Sequence, residues 1–110
     1  MTEFTKRAIQ IIASIPAGTV MTYGQIAALA GSPRGARQIV RILHSMSQKH
    51  KLPWHRVINA KGKIGLQDFD SMTLQKMLLE GEGVTVSKTG DIDLERFQHH
   101  PEPGLARFPD

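Results

Sequence analysis

The sequence predicts an α/β fold class: a small, mainly helical domain with a winged helix-turn-helix-like centre and a short β-hairpin. Three observations carry this expectation. Apolar residues recur at helical spacing in two stretches, 4–15 and 36–46, on either side of a short segment bounded by turn residues. Short β-branched runs in the second half are punctuated by glycines. At 110 residues, 40% hydrophobic and 22% charged, the chain has room for one ordinary globular domain. That domain is expected over residues 1–96, followed by a loosely packed tail over 97–110 rich in Pro, Gly and His.

The elements follow in order. Thr2 is a good N-cap and Glu3 an acid in the first turn, and Phe4, Ala8, Ile11, Ile12 and Ile15 form the apolar stripe of a first helix that Pro16-Ala17-Gly18 ends. Thr19-Val20-Met21 reads as short and extended. Thr22-Tyr23-Gly24-Gln25 reads as a capping box, and the short helix it opens stops at Gly31. Ser32-Pro33 is expected to start the third helix, with Ser as N-cap and Pro at the first helical position. There Ala36, Ile39, Val40, Leu43 and Met46 fall on one side. Arg34, Arg37, Gln38, Arg41, His44, Ser45 and Gln48 fall on the other. Pro53 holds Leu52 extended, Arg56-Val57-Ile58 reads as a strand, Ala60-Lys61-Gly62-Lys63 as a turn, and Ile64 as the start of a return strand. After a loop over 65–70, Ser71 is expected to cap a helix with Leu74, Met77 and Leu78 inside and Gly83 as its stop. Val84-Thr85-Val86 and Ile92-Asp93-Leu94 read as a terminal hairpin or wing.

Composition then narrows the chemistry. The net charge of +4 conceals an asymmetry: residues 1–64 carry ten Lys and Arg against Glu3 alone, while residues 65–110 carry four against nine acids. A segment this basic fits a polyanionic partner, and no acid lies between 34 and 48 to neutralise the arginines of the third helix. A short helix, a tight turn and a basic amphipathic helix point to nucleic acid. The absence of cysteine excludes disulfides, thiolate metal sites and a cysteine nucleophile. The five histidines show no metal-ligand spacing, so no metal and no cofactor is expected. No apolar run approaches the roughly 18–20 residues of a membrane span, and Met1-Thr2-Glu3-Phe4 lacks the features of a secretory signal. His55 is a general base by residue type, but without a thiol beside it a structural role reads as well. Trp54 fits either a core or a stacking role, and Tyr23 either a backbone contact or a plug between helices.

Three separated motifs, in order, resemble one family. Thr22-Tyr23-Gly24-Gln25-Ile26-Ala27, Arg34-Gly35-Ala36-Arg37-Gln38-Ile39-Val40 and Pro53-Trp54-His55-Arg56-Val57-Ile58-Asn59 resemble the C-terminal DNA-binding domain of the O6-alkylguanine-DNA alkyltransferases, from about Glu3 to Leu94. In those enzymes the last motif begins Pro-Cys-His-Arg and the cysteine accepts the alkyl group. Trp54 at that position is the mark of the alkyltransferase-like proteins. The resemblance implies a non-enzymatic sensor that flips O6-alkylguanine out of double-stranded DNA and directs it to nucleotide excision repair proteins. It further implies a monomer, cytoplasmic and nucleoid-associated or else nuclear, with no membrane partner.

The implied roles fall on individual residues. Arg37 would enter the base stack, Tyr23 would turn the target phosphate and touch the flipped base, and Trp54 would face the alkyl group. The backbone carbonyls of Trp54 and Val57 would read the exocyclic amine of guanine. Arg34, Arg41 and Lys49 would contact phosphates. His55 and Arg56 belong to the same binding segment, and His55 with Glu82 matches a relay that here has no thiol to activate. Met46 stands where the enzymes carry an Asn hinge, and Asp68 and Phe69 stand near their Tyr-Ser pair, so the 65–70 loop is expected to make different contacts. Two other readings remain. A sequence-specific winged-helix transcription regulator leaves the Pro-Trp-His-Arg segment without a job. An enzyme with His55 as base would have to use water or Ser71 as nucleophile.

Overall fold

The structure is a computed structural model that describes residues 1–66 and 68–101. Helix α1, Glu3–Ala13, opens as expected: the Thr2 side chain accepts from the Thr5 N–H, and Ala8, Ile11 and Ile12 are buried. Strand β1, Met21–Thr22, leads directly into α2, Tyr23–Leu29. The Thr22 capping box forms in full, with Thr22 Oγ1 accepting from Gln25 N and Gln25 Oε1 accepting from Thr22 N. Helix α3, Ala36–His50, packs against α2 and α1. A 3-10 turn over Trp54–Arg56 precedes strand β2, Val57–Ile58, and helices α4, Phe69–Gly81, and α5, Leu94–Phe97, complete the order.

The two strands run parallel, with Met21 opposite Val57 and Thr22 opposite Ile58. This pair forms the seam between two apolar clusters, because successive strand residues face opposite ways. Met21 and Val57 join the cluster of α1, α2 and α3, which includes Ile12, Ile26 and Ile39. Val20 and Ile58 join a second cluster with Leu79, Val84, Val86, Ile92 and Phe97. Among the described residues no helix is long and apolar enough to cross a membrane.

Several expectations are corrected. Helix α3 begins at Ala36 rather than Pro33, with Gly35 as its N-cap and no side-chain cap; residues 32–35 form a turn closed by Gly35 N–H to Ser32 O at 2.9 Å. A Cβ at Gly35 would lie 2.9 Å from Phe4 Cζ and 3.1 Å from Ser32 O, so a larger residue there would have to displace its neighbours. Arg34 therefore sits in the turn and not on the helix. The buried side chains of α3 are Ile39 and Ile42, while Val40 is 38% exposed. Helix α4 is capped by Asp68, whose carboxylate accepts from Ser71 N at 2.9 Å and complements the helix N-terminus better than Ser71 could. Its buried residues are Gln75 and Leu79; Leu74, Met77 and Leu78, expected inside, face outward.

The expected hairpins do not form. Asn59 Oδ1 accepts from the N–H groups of Lys61 and Lys63, which closes a turn in place of a return strand at Ile64. Ile64 N–H then donates to Gly90 O and Ile92 N–H to Gly62 O, so these backbone groups join two turns, while Val84 N–H caps α4 on Leu79 O. Nor does the chain loosen at residue 97. Phe97 is buried, its carbonyl accepts from Val20 N–H, and His99 N–H donates to Val20 O. Burial of the Phe97 ring in the second cluster accounts for the packing of residues 97–99. The remainder of the expected tail, 102–110, and Gln67 of the loop lie outside the described residues.

Candidate lesion-binding cleft

A cleft of about 650 Å³ opens between α3, the Trp54 turn and α4, within the size range of small-molecule sites. Tyr23 reaches it from the first residue of α2, the position that the Thr22 capping box fixes. Trp54 reaches it from the turn after Pro53, and Val57 from the start of β2. The opposite walls are Val40, Leu43 and Ser47 of α3 and Leu74 and Gln75 of α4. The lining is mostly apolar, with a few polar groups set into it.

Local geometry explains how Trp54 is held. Helix α3 ends at Lys51, which adopts the left-handed conformation (φ 52°, ψ 47°), and Leu52 N–H donates back to Ser47 O at 2.9 Å. Lys51 is the one non-glycine residue with positive φ among the described residues, and it lines the cleft. The reversal sends Leu52 into the core and Trp54 to the cleft wall. The His55 ring meets the Trp54 ring edge-on, with centroids 6.1 Å apart and an interplanar angle of 84°. The Tyr23 hydroxyl and Cε2 stand 3.6 and 3.7 Å from where a Cβ would lie on Gly65, so the loop passes close to the hydroxyl end of the ring. Burial pushes the Tyr23 phenol above its ordinary pKa.

His55 and Arg56 have another task. Arg56 grips the Glu82 carboxylate through Nε and Nη2, at 3.0 and 2.6 Å, and donates from Nη1 to Ile15 O at 2.8 Å. His55 Nε2 lies 2.9 Å from Glu82 Oε2, and Gly18 N–H donates to Glu82 Oε1 at 3.1 Å. Gly18 makes that approach at φ +86°, a conformation that favours glycine. The Arg56 hydrogen bonds, helped by those from His55 and Gly18, hold the Glu82 carboxyl at about 2 despite the opposing effect of burial. Expected in the binding segment, Arg56 ties the end of α4 to the end of α1, with each of its three guanidinium nitrogens engaged. His55 and Glu82 do meet, as the implied relay requires, but they form part of this clamp.

The expected basic residues stand apart from the cleft lining. Arg37 and Arg41 lie on the exposed face of α3, one turn apart, and Arg34 in the exposed turn before it. Among the described residues Glu82 pairs with His55 and Arg56, and Lys63 with Asp91, while the arginines of α3 have no acidic partner. Arg37 is one helical turn before Val40 on the cleft edge. Sequence reasoning missed Gln75. Its Nε2 donates to His55 O at 3.0 Å and Val57 O at 3.1 Å, bracing the backbone of the Trp54 segment from behind. A signal was present: Met72, Gln75 and Leu79 share a face of α4, so an amide stands in line with residues that pack inward.

Comparison with known proteins places this architecture. Residues 3–84 match the family model described as 6-O-methylguanine DNA methyltransferase, DNA binding domain. The chain is 48% identical over 96 residues to the DNA base-flipping protein of Escherichia coli strain K12, covering 87% of this chain and 74% of that protein. It is 39% identical over 90 residues to alkyltransferase-like protein 1 of Schizosaccharomyces pombe, covering 81% and 83%. In three dimensions it is similar to the crystal structure of S. pombe Atl1 in complex with damaged DNA containing O6-carboxymethylguanine. The TM-score is 0.79 at 35% identity, over 92% of this chain and 98% of that one. The matched span contains α1 to α4 and every wall of the cleft: the chain belongs to the family of the 6-O-methylguanine DNA methyltransferase DNA-binding domain, as an alkyltransferase-like member.

Proposed function

We propose that this protein senses O6-alkylated guanine in duplex DNA. It takes the damaged nucleotide out of the stack into the cleft, transfers no alkyl group, and marks the site for nucleotide excision repair. The observation that carries this reading is Trp54 on the cleft wall, at the position where the resembling enzymes carry their acceptor cysteine, in a chain with no cysteine. Its indole offers apolar area to an alkyl group and no nucleophile. Flipping costs a few kcal/mol and is cheapest for a badly paired base, so weakened pairing of an alkylated guanine supplies selectivity at the extrusion step. Arg37, exposed near the cleft edge, can fill the vacated space in the stack. Arg34, Arg41 and Lys49 can contact phosphates without sequence preference, which suits a lesion that arises anywhere. The relatives named for base flipping and the neighbour bound to damaged DNA favour the same reading.

The test is a titration of matched duplexes carrying guanine or O6-methylguanine, at two salt concentrations, followed by mass spectrometry of the protein. Preference for the lesion without a change in protein mass is expected. A gain of one methyl on the protein would overturn the non-enzymatic reading. Tight binding to one sequence regardless of alkylation would favour a transcription regulator.

A further inference from the structure

The segment that follows α5 is tied to the start of α2. Gln98 forms a parallel bridge with Val20, in which Val20 N–H donates to Phe97 O at 2.9 Å and His99 N–H to Val20 O at 2.8 Å. Residues 97–99 thus run beside the residue that leads into β1. From there two groups reach the Gln25 side chain. Gln98 Nε2 donates to Gln25 Oε1 at 2.8 Å, and Gln25 Nε2 donates to His99 O at 2.6 Å. Gln25 Oε1 also accepts from Thr22 N at 3.2 Å, the returning half of the capping box. The Gln25 amide is therefore held at both ends. Turning it over would set its nitrogen against two donors and its oxygen against a carbonyl, so its orientation is dictated by its surroundings. A polar network whose members are all satisfied is rigid.

Helix α2 has seven residues, and a helix that short has little stability of its own. A brace on its first turn decides where that turn stands. Tyr23 is the first residue of the turn and reaches the cleft from it. Residues 97–99 lie beyond the span 3–84 that the family model matches, so this brace is not among the features by which the family is recognised. We infer that Gln98 is a positioning residue of the lesion site: through Gln25 it fixes the first turn of α2, and with it the Tyr23 side chain on the cleft wall. The inference rests on the lesion-binding reading above and deepens it, because it extends the site to the C-terminal segment. That reading sets Tyr23 against the target phosphate and the flipped base, a contact made only once a nucleotide has left the stack. Binding groups must be held to within about 0.5 Å by the residues behind them. A displaced Tyr23 weakens the hold on an extruded lesion and leaves the contacts of α3 with an intact duplex as they are. Gln98 therefore acts on lesion preference and not on general affinity for DNA.

The test uses the full chain and matched duplexes carrying guanine or O6-methylguanine. Gln98→Met keeps the bulk of the side chain and removes its donor. It should lower the preference for the lesion about fivefold, within the range of coupling between residues of one network, with affinity for the guanine duplex unchanged. Gln98→Lys keeps a donor able to reach Gln25 Oε1 and should retain the preference. A purely structural role would weaken both duplexes alike. That outcome in Gln98→Met, an unchanged preference in the folded variant, or a Gln98→Lys that loses as much as Gln98→Met, overturns the inference. Hydrogen exchange on the wild type gives a reading that needs no variant. The Gln98 side-chain N–H should be protected about tenfold or more relative to a free amide, and its absence of protection also overturns the inference. Failure of the lesion-binding reading looks different: wild type would then bind guanine and O6-methylguanine duplexes equally.

Discussion

At the scale of single residues, the cleft and the clamp behind it make separable demands. Arg37→Ala should bring binding of O6-methylguanine duplexes close to that of undamaged DNA. Retention of the full lesion preference in a competition assay would remove the stack-filling role. Glu82 answers to pH. Its folded pKa of about 2 lies below the 4.5 of an unperturbed carboxyl, so its contribution is present above pH 4.5 and is lost as pH falls through that window toward 2. Glu82→Gln should cost roughly 2 kcal/mol at neutral pH, because it leaves the engaged Arg56 guanidinium without a counter-charge. The gap between the variant and wild type in denaturant melts should close as the pH approaches 2. The motif residues Tyr23, Trp54 and Val57 were legible in the sequence and do line one cleft. Arg56 was not, because a charge facing solvent and a charge locked on a distant carboxylate look alike until the chain is folded. Gln75 was hidden for a related reason: its partners are backbone carbonyls 18 and 20 residues away.

At the scale of elements, α1 and α2 were readable because their signals are local: a stripe at helical spacing, an N-cap and a reciprocal capping box. Helix α4 was misread for the opposite reason. It carries apolar residues on more than one face, so spacing alone could not say which face packs. Leu79 and Gln75 turn inward, while Met77 is 64% exposed and Phe69 78% exposed. The consequence is measurable. Leu79→Ala should destabilise by about 2–4 kcal/mol, as other large-to-small core changes do. Met77→Gln should stay within about 0.5 kcal/mol, a typical surface change. Thermal melts of the two variants would reverse in order if the sequence-based orientation of α4 held. The parallel pairing of β1 with β2 was also illegible, since two-residue strands 36 positions apart in register leave no periodic trace.

At the scale of the whole molecule, the charge asymmetry becomes spatial. The helix that carries Arg37 and Arg41 pairs them with no acid, and the acidic half supplies Glu82 to the interior clamp and Asp68 and Asp93 as helix caps. Lys49→Ala should therefore weaken binding to damaged and undamaged duplexes equally, and lower the slope of log affinity against log salt by about one. The clamp itself has a further meaning for the chain as a whole. One carboxylate holds together a loop near residue 18, the turn at 55–56 and the end of α4, and the wall that bears Trp54 begins at that turn. Since the chain has a single tryptophan, any loosening of this junction, and any guest entering beside the indole, would be written into one emission spectrum. Under the proposed reading, the molecule would carry its own unlabelled gauge of what enters the cleft.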